Sequence, residues 1–267
     1  MSATIAITGA SSFAARPLLH ALLRRKPRRV VLCDPLDGLA ELQAQLVPWC
    51  EQQGISTDLQ WWSQDTAAAL PDLHGIQWLI HGDTVRAEAL LQANSAAAVR
   101  RNILATQQLL KALPESGVPL VLLSSHLAAQ RQGVAGSSLA AAEALVAQWA
   151  ASHPSCSVQV WRLPSAFDPQ VISTAKASEP SAAWLRERLA EAFVDQLLGS
   201  GSAAGCQGLI AAASPFSADQ PLLRSQALAD AVEWPAQPLQ AWLVSLAEPL
   251  ARYDNAVVLE GLKGLWT

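Results

Sequence analysis

A chain of 267 residues that is 51% hydrophobic and only 15% charged supplies one large core plus a small appendage, which excludes disorder over most of its length. Its formal charge of −4 gives no basic field of the kind nucleic acid demands. No apolar run approaches the roughly 18 residues of a membrane span, and Met1-Ser2-Ala3 leads straight into a strand pattern, so neither an anchor nor a signal peptide is expected. Cys33, Cys50, Cys156 and Cys206 are widely spaced with no Cys-x-x-Cys pair, as in a reducing cytoplasm and without a zinc site or a disulfide frame.

The elements alternate. Thr4–Thr8 (TIAIT) is a β-branched strand, closed by Gly9 and followed by an apolar helix over Ala14–Leu23. The basic run Arg24–Arg29 suits that helix's C-terminal dipole and then passes into a second strand, Arg29–Cys33. Gly38–Val47 reads as a helix, Leu59–Trp62 as a third strand and Gln77–His81 as a fourth. Ala87–Leu113 is a long Ala/Leu-rich helix pattern, and Pro119–Leu123 (PLVLL) is the uninterrupted apolar run of a central parallel strand. Leu139–Ala150 is helical and Ser157–Arg162 is a strand.

Strands separated by helices of ten or more residues imply βαβ units and a doubly wound parallel sheet. The rhythm changes near Pro169. Ser173–Pro180 reads as a loop, Ala182–Leu198 as an amphipathic helix and Gly208–Ala213 as a late strand. Leu223–Val232 and Leu239–Ala251 read as helical patches. Residues 1–169 are therefore expected to form the nucleotide-binding-like domain, with 170–267 a small, mostly helical cap that does not stand alone.

Thr8-Gly9-Ala10-Ser11-Ser12-Phe13-Ala14-Ala15 resembles the Thr-Gly-x-x-Gly-x-x-Gly turn of extended short-chain dehydrogenases, the NAD-dependent epimerase/dehydratase family. Other landmarks follow in order. Asp34 closes the second strand, where the family places a carboxylate on the adenosine ribose, and Asp65 stands near the family's adenine-contacting Asp. Asn102 matches the family's helix Asn, Ser124-Ser125 its Ser-Ser, and Trp161-Arg162-Leu163-Pro164 its Arg-led segment after strand six. The resemblance implies a Rossmann fold, NAD as cofactor, and a nucleotide or nucleotide-sugar ligand. It implies cofactor-binding roles for Gly9, Ser11, Ser12, Phe13, Asp34, Asp65 and Asn102; the cysteine and histidine spacings predict no metal site.

The departures concern chemistry. Ser12 and Ala15 stand where the second and third glycines are usual; Ala15 adds one methyl, and Ser12 puts a side chain where a diphosphate would lie. The family's Tyr-x-x-x-Lys aligns with Ala135–Leu139, anchored by Glu143 four residues on. Ala and Leu move no proton, and the lone tyrosine, Tyr253, has Val257 where a lysine would be needed. Ser125 and His126 are the candidate catalytic groups that remain; Asp83, a possible base, would repel a diphosphate. His20, His74 and His153 lack metal-like spacing, and the ten tryptophans read as core or as a partner surface. Two functions are thus expected to compete. One is a degenerate, non-catalytic relative serving as a binding, scaffold or nucleotide-sensing protein with a protein partner or a second copy. The other is an atypical epimerase, dehydratase or reductase using Ser125 and His126.

Overall fold

A computed structural model describes residues 3–63, 73–86, 91, 94–114, 117–131, 133–164, 167, 182–199, 205–211 and 223–226. Eight strands form one sheet: β1 (Thr4–Thr8), β2 (Arg29–Asp34), β3 (Asp58–Ser63), β4 (Trp78–His81), β5 (Leu120–Ser125), β6 (Ser157–Leu163), β7 (Gly205–Ala211) and β8 (Leu223–Gln226). Their order is β3-β2-β1-β4-β5-β6-β7-β8, parallel from β3 through β7 with β8 antiparallel at the edge. The order reverses between β1 and β4, and open α/β sheets take ligands in the crevice at such a switch point. Register pairs Thr8 with both Cys33 and His81, and Ser125 with Leu163, so the carboxyl ends of β1, β2, β4, β5 and β6 share one rim.

Helices cover both faces. On one lie α1 (Ala15–Arg24) and α2 (Leu36–Gln52); on the other, after a short α3 (Ser95–Ala98) and a π-helical turn (Val99–Leu104), lies α4 (Ala105–Ala112). A short α5 (His126–Gln130) leads into α6 (Gly133–Ser152), and α7 (Ala182–Gly199) packs on α1. One core layer joins Ile5, Ile7, Leu19, Leu22 and Leu32 to Trp161, Phe193 and Leu197; the other joins Val31, Leu79, Leu120 and Leu122 to Leu109, Val146 and Val160. β5 is buried at every position, as its apolar run requires of a strand covered on both faces.

Two expectations need correction. Asn94 caps a fresh helix start, its side chain accepting from the Ala97 amide at 3.2 Å, so the helical pattern from Ala87 is interrupted before Ser95. Leu223–Gln226, the start of a segment read as helical, is strand β8, whose pairing supplies hydrogen-bond partners along the outer edge of β7. Tertiary pairing overrides a weak local pattern there. The Ser173–Pro180 loop, the Leu239–Ala251 helix, and Trp234, Trp242 and Trp266 fall outside the described residues.

Candidate nucleotide site

The turn after β1 is built around Gly9. Its φ of +64° is a left-handed conformation, and a Cβ there would collide with the backbone of Gly82 and Asp83. The Gly9 N–H donates to the Cys33 carbonyl at 2.9 Å, and the Ser12 N–H to the Gly9 carbonyl at 3.0 Å, tying the turn to β2. The Ser12 hydroxyl turns back along the chain and accepts from the Ala15 amide at 3.2 Å, serving the first turn of α1. Ala15 is itself buried, so its methyl is accommodated in the core.

Asp34 lies beside this turn. One carboxylate oxygen accepts from the Ser11 amide at 2.6 Å, and the residue is only 4% exposed. Burial pushes its carboxyl above the usual carboxylate range; the Ser11 hydrogen bonds oppose that shift, while the Asp83 charge adds to it. Asp83 pairs in turn with Arg101, so the charge that would repel a diphosphate has a cation against it. Asp65 lies outside the described residues.

Asn102 sits inside the π-helical turn, a distortion frequent at functional sites, and is wholly buried. Its side-chain oxygen accepts from the Val85 amide at 2.8 Å, and its nitrogen donates to the Val85 carbonyl at 2.9 Å and to the Ser138 hydroxyl at 2.8 Å. Asn102 therefore clamps the segment after β4 against α6. Beneath it His81 is buried between Thr8 (2.7 Å at Nδ1) and Thr106 (3.0 Å at Nε2). Thr106 donates its own proton to the Asn102 carbonyl at 2.8 Å, so it accepts from His81 Nε2–H, leaving Nδ1 to accept from Thr8. Burial lowers the His81 pKa to about 4, which keeps it neutral.

At the β5–β6 rim, Glu143 on α6 accepts from Ser124 at 2.5 Å and from Arg162 at 2.6 and 3.0 Å, a dry ion pair joining α6 to both strands. Ser125 is buried and caps α5, accepting from the Leu127 amide at 3.3 Å. His126 is exposed at the first position of α5, with Nδ1 3.4 Å from the Ser125 hydroxyl and 3.4 Å from the Leu163 carbonyl. Arg86, which is buried, donates to the Ser124 carbonyl at 3.3 Å, while Thr84 donates to the Leu123 carbonyl at 2.9 Å. Two cations at this rim, Arg86 and Arg101, carry no motif that sequence reasoning could have found. Only the pairing of β4 with its neighbours brings them near the turn.

The two positions aligned with the family's proton-transfer pair lie on α6 and are both 0% exposed. Ala135 packs with Leu91 and Ala98, with Val85, Leu127 and Val134 against them; Leu139 packs with Ala128 and Ala140. Gly136 permits this closeness, because a Cβ there would stand 2.6 Å from the Leu127 carbonyl oxygen of α5. His20 stacks on Trp49 at 4.4 Å and His153 on Trp149 at 4.3 Å. Cys33, Cys50 and Cys156 are buried, and burial pushes the Cys33 thiol up to about 12. Among the described residues no cluster suits a metal ion, and no helix is long and apolar enough to cross a membrane.

Solved structures match this fold. Pen from Bacillus thuringiensis is 16% identical with a TM-score of 0.59, the match covering 79% of this chain and 68% of that one. The UDP-glucose 4-epimerase of Bifidobacterium longum, solved in complex with NAD+ and UDP, is 15% identical with a TM-score of 0.57, covering 77% of each chain. The chain spans 54% of the length of MoeE5, solved in complex with UDP-glucose and NAD, at 21% identity over 60% of this chain and a TM-score of 0.46. No curated protein matches the sequence. Residues 5–162, the sheet from β1 through β6 with its helices, match the profile of the polysaccharide biosynthesis protein family. That match spans more than half of the sequence, so the chain belongs to this family, an NAD-dependent epimerase/dehydratase-like branch of the extended short-chain dehydrogenases.

Proposed function

We propose that this protein is a degenerate short-chain dehydrogenase that binds a dinucleotide or nucleotide sugar without turning it over, in a sensing or scaffold role toward a protein partner or a second copy. The observation that carries the reading is the packing at Ala135 and Leu139. Both aligned catalytic positions are wholly buried in apolar contacts, and neither carries a side chain that titrates. General acid–base assistance is worth roughly 10²–10⁴-fold in rate.

The remaining parts suit a bound NAD. The left-handed Gly9 turn opens onto the N-terminus of α1, where backbone amides and the helix dipole favour phosphate. Ser11, Ser12 and Phe13 line that turn, Asp34 lies beside the adenosine ribose, and Asp65 is assigned to the adenine by resemblance. Asn102 acts through the segment after β4, which it holds in place. NAD supplies hydride exchange in active relatives of this fold; here its part is that of a ligand recognised by the turn.

A second reading has its own observation. The Ser125 hydroxyl and the His126 imidazole lie 3.4 Å apart at the carboxyl end of β5, beside the crevice. In that reading His126 donates and accepts the proton and Ser125 orients the substrate hydroxyl.

One experiment separates the two. Purified protein is titrated calorimetrically with NAD and NADP and then assayed for epimerase, dehydratase and reductase turnover on common nucleotide sugars. Binding of NAD without turnover is expected. Robust turnover abolished by His126→Ala would overturn the non-catalytic reading.

A further inference from the structure

A cation overhangs the β1–α1 turn from the far end of the sequence. Arg186, on the first turns of α7, places its guanidinium carbon 4.8 Å from the centroid of the Phe13 ring. One of its terminal nitrogens, Nη1, is buried from solvent and has no hydrogen-bond partner. A buried guanidinium nitrogen without an acceptor is costly, because donors on a delocalised cation have lost water there without replacement. Such an orphan marks the place of an acceptor that the described residues do not supply.

The turn below offers matching donors. The amides of Gly9, Ser11 and Ser12 are committed to Cys33, Asp34 and Gly9, and those of Ala15 and Arg16 to the Ser12 carbonyl. Among the described residues the amides of Phe13 and Ala14 enter none of these bonds. The Ser12 oxygen accepts from Ala15, which leaves its hydroxyl proton to donate elsewhere. α7 is held in register with α1 by the Arg25–Asp195 and Arg24–Glu191 pairs, so Arg186 is carried on a braced element.

We propose that Arg186 is the cationic jaw of a diphosphate clamp, with the ligand's phosphates held between its guanidinium and the Phe13 and Ala14 amides. This deepens the nucleotide-binding reading, on which it rests, by naming a residue far from the β1–α1 turn in sequence that meets the ligand's phosphates. It also offers a physical reason why a turn with a single glycine can bind. A guanidinium matches phosphate oxygens in a fork geometry, replacing attraction lost where Ser12 and Ala15 stand for glycines. Asp34 and Asp83 oppose an anion at this rim; Arg101 pairs with Asp83 and its charge also acts on Asp34, and Arg186 adds a cation above the turn.

The test uses inorganic pyrophosphate, ADP, NAD and adenosine as calorimetric titrants against the whole protein, Arg186→Met and Lys111→Ala. Arg186→Met keeps the stem over Phe13, and a thermal scan verifies that it folds. Loss of one charge-assisted hydrogen bond predicts about tenfold or greater weakening for pyrophosphate, ADP and NAD. Adenosine should be unaffected, and Lys111→Ala, an exposed cation on α4, should bind all four like the parent. Equal pyrophosphate and ADP affinities in the parent and Arg186→Met overturn the clamp, as does failure of the parent to bind either. If NAD binds but ignores Arg186, the clamp fails while the nucleotide reading survives. If pyrophosphate binds through Arg186 and NAD does not bind, the clamp stands and the dinucleotide reading fails.

Discussion

Leu139→Lys returns an ammonium to the helical position where an active relative carries one, and the apolar packing at that position sets its cost. Leu139 is 0% exposed and lies among Ala128 and Ala140 on the α5–α6 contact. An ammonium placed there loses its hydration, and burial of this kind depresses a lysine pKa by about 3–5 units from about 10.4. Each unit is worth about 1.4 kcal/mol. At pH 7 the cost is capped by neutralisation of the amine, at about 4–5 kcal/mol relative to the parent.

For a chain of this size that is a fall of roughly 8–20 °C in Tm. The native state then holds the neutral amine while the unfolded state carries the extra proton. The deficit therefore shrinks as pH rises from the depressed pKa toward about 10.4, and less than about 1 kcal/mol remains at pH 10. Urea unfolding of parent and variant at pH 7 and pH 10 measures both numbers. A difference below about 1 kcal/mol at pH 7, unchanged at pH 10, would mean that the ammonium reaches water. The position would then open on the crevice, and the case against catalysis would lose its main support.

His81, whose folded pKa of about 4 lies below an unperturbed 6.5, contributes stability that is complete above pH 6.5 and lost as pH falls through 4. The loss amounts to about 3 kcal/mol, and His81→Gln should flatten that limb of the stability–pH curve; an unchanged acid limb would refute the buried neutral ring. NAD should bind more tightly than NADP in calorimetric competition, because a 2′-phosphate would meet the Asp34 carboxylate; tighter NADP binding would refute the assignment of Asp34 to the ribose. Glu143→Ala leaves Arg162 charged and dry and should cost about 3–5 kcal/mol in chemical unfolding, while Glu143→Leu with Arg162→Met recovers most of it. A single-variant loss below about 1 kcal/mol would mean that the pair is hydrated.

The sequence alone determined the features that depend on local pattern. β-branched and apolar runs between long helical stretches specify strands covered on both faces, so β1 to β6 were legible within a residue or two. Gly9 was legible because only a residue without a Cβ takes that φ against the Asp83 backbone. The missing Tyr and Lys were legible as letters at Ala135 and Leu139. That they are sealed by Leu91, Ala98, Leu127 and Ala128 was not, because those contacts arise only when α5 and the segments holding Leu91 and Ala98 pack on α6.

Charge was the least legible quantity of all. Asp83 in sequence looks like an obstacle to an anion, yet Arg101 pairs with it only because β4 and the π-helical turn meet at the rim. Asn102 matches a family position by letter, while its bonds to Val85 and Ser138 emerge only once β4 and α6 are packed. Arg186 lies more than 170 positions from Phe13 and has no motif; the packing of α7 on α1 alone sets it over the turn. Side-chain periodicity records which face of an element is apolar, whereas the electrostatic field at a site sums over groups that only the closed tertiary structure brings within a few ångströms.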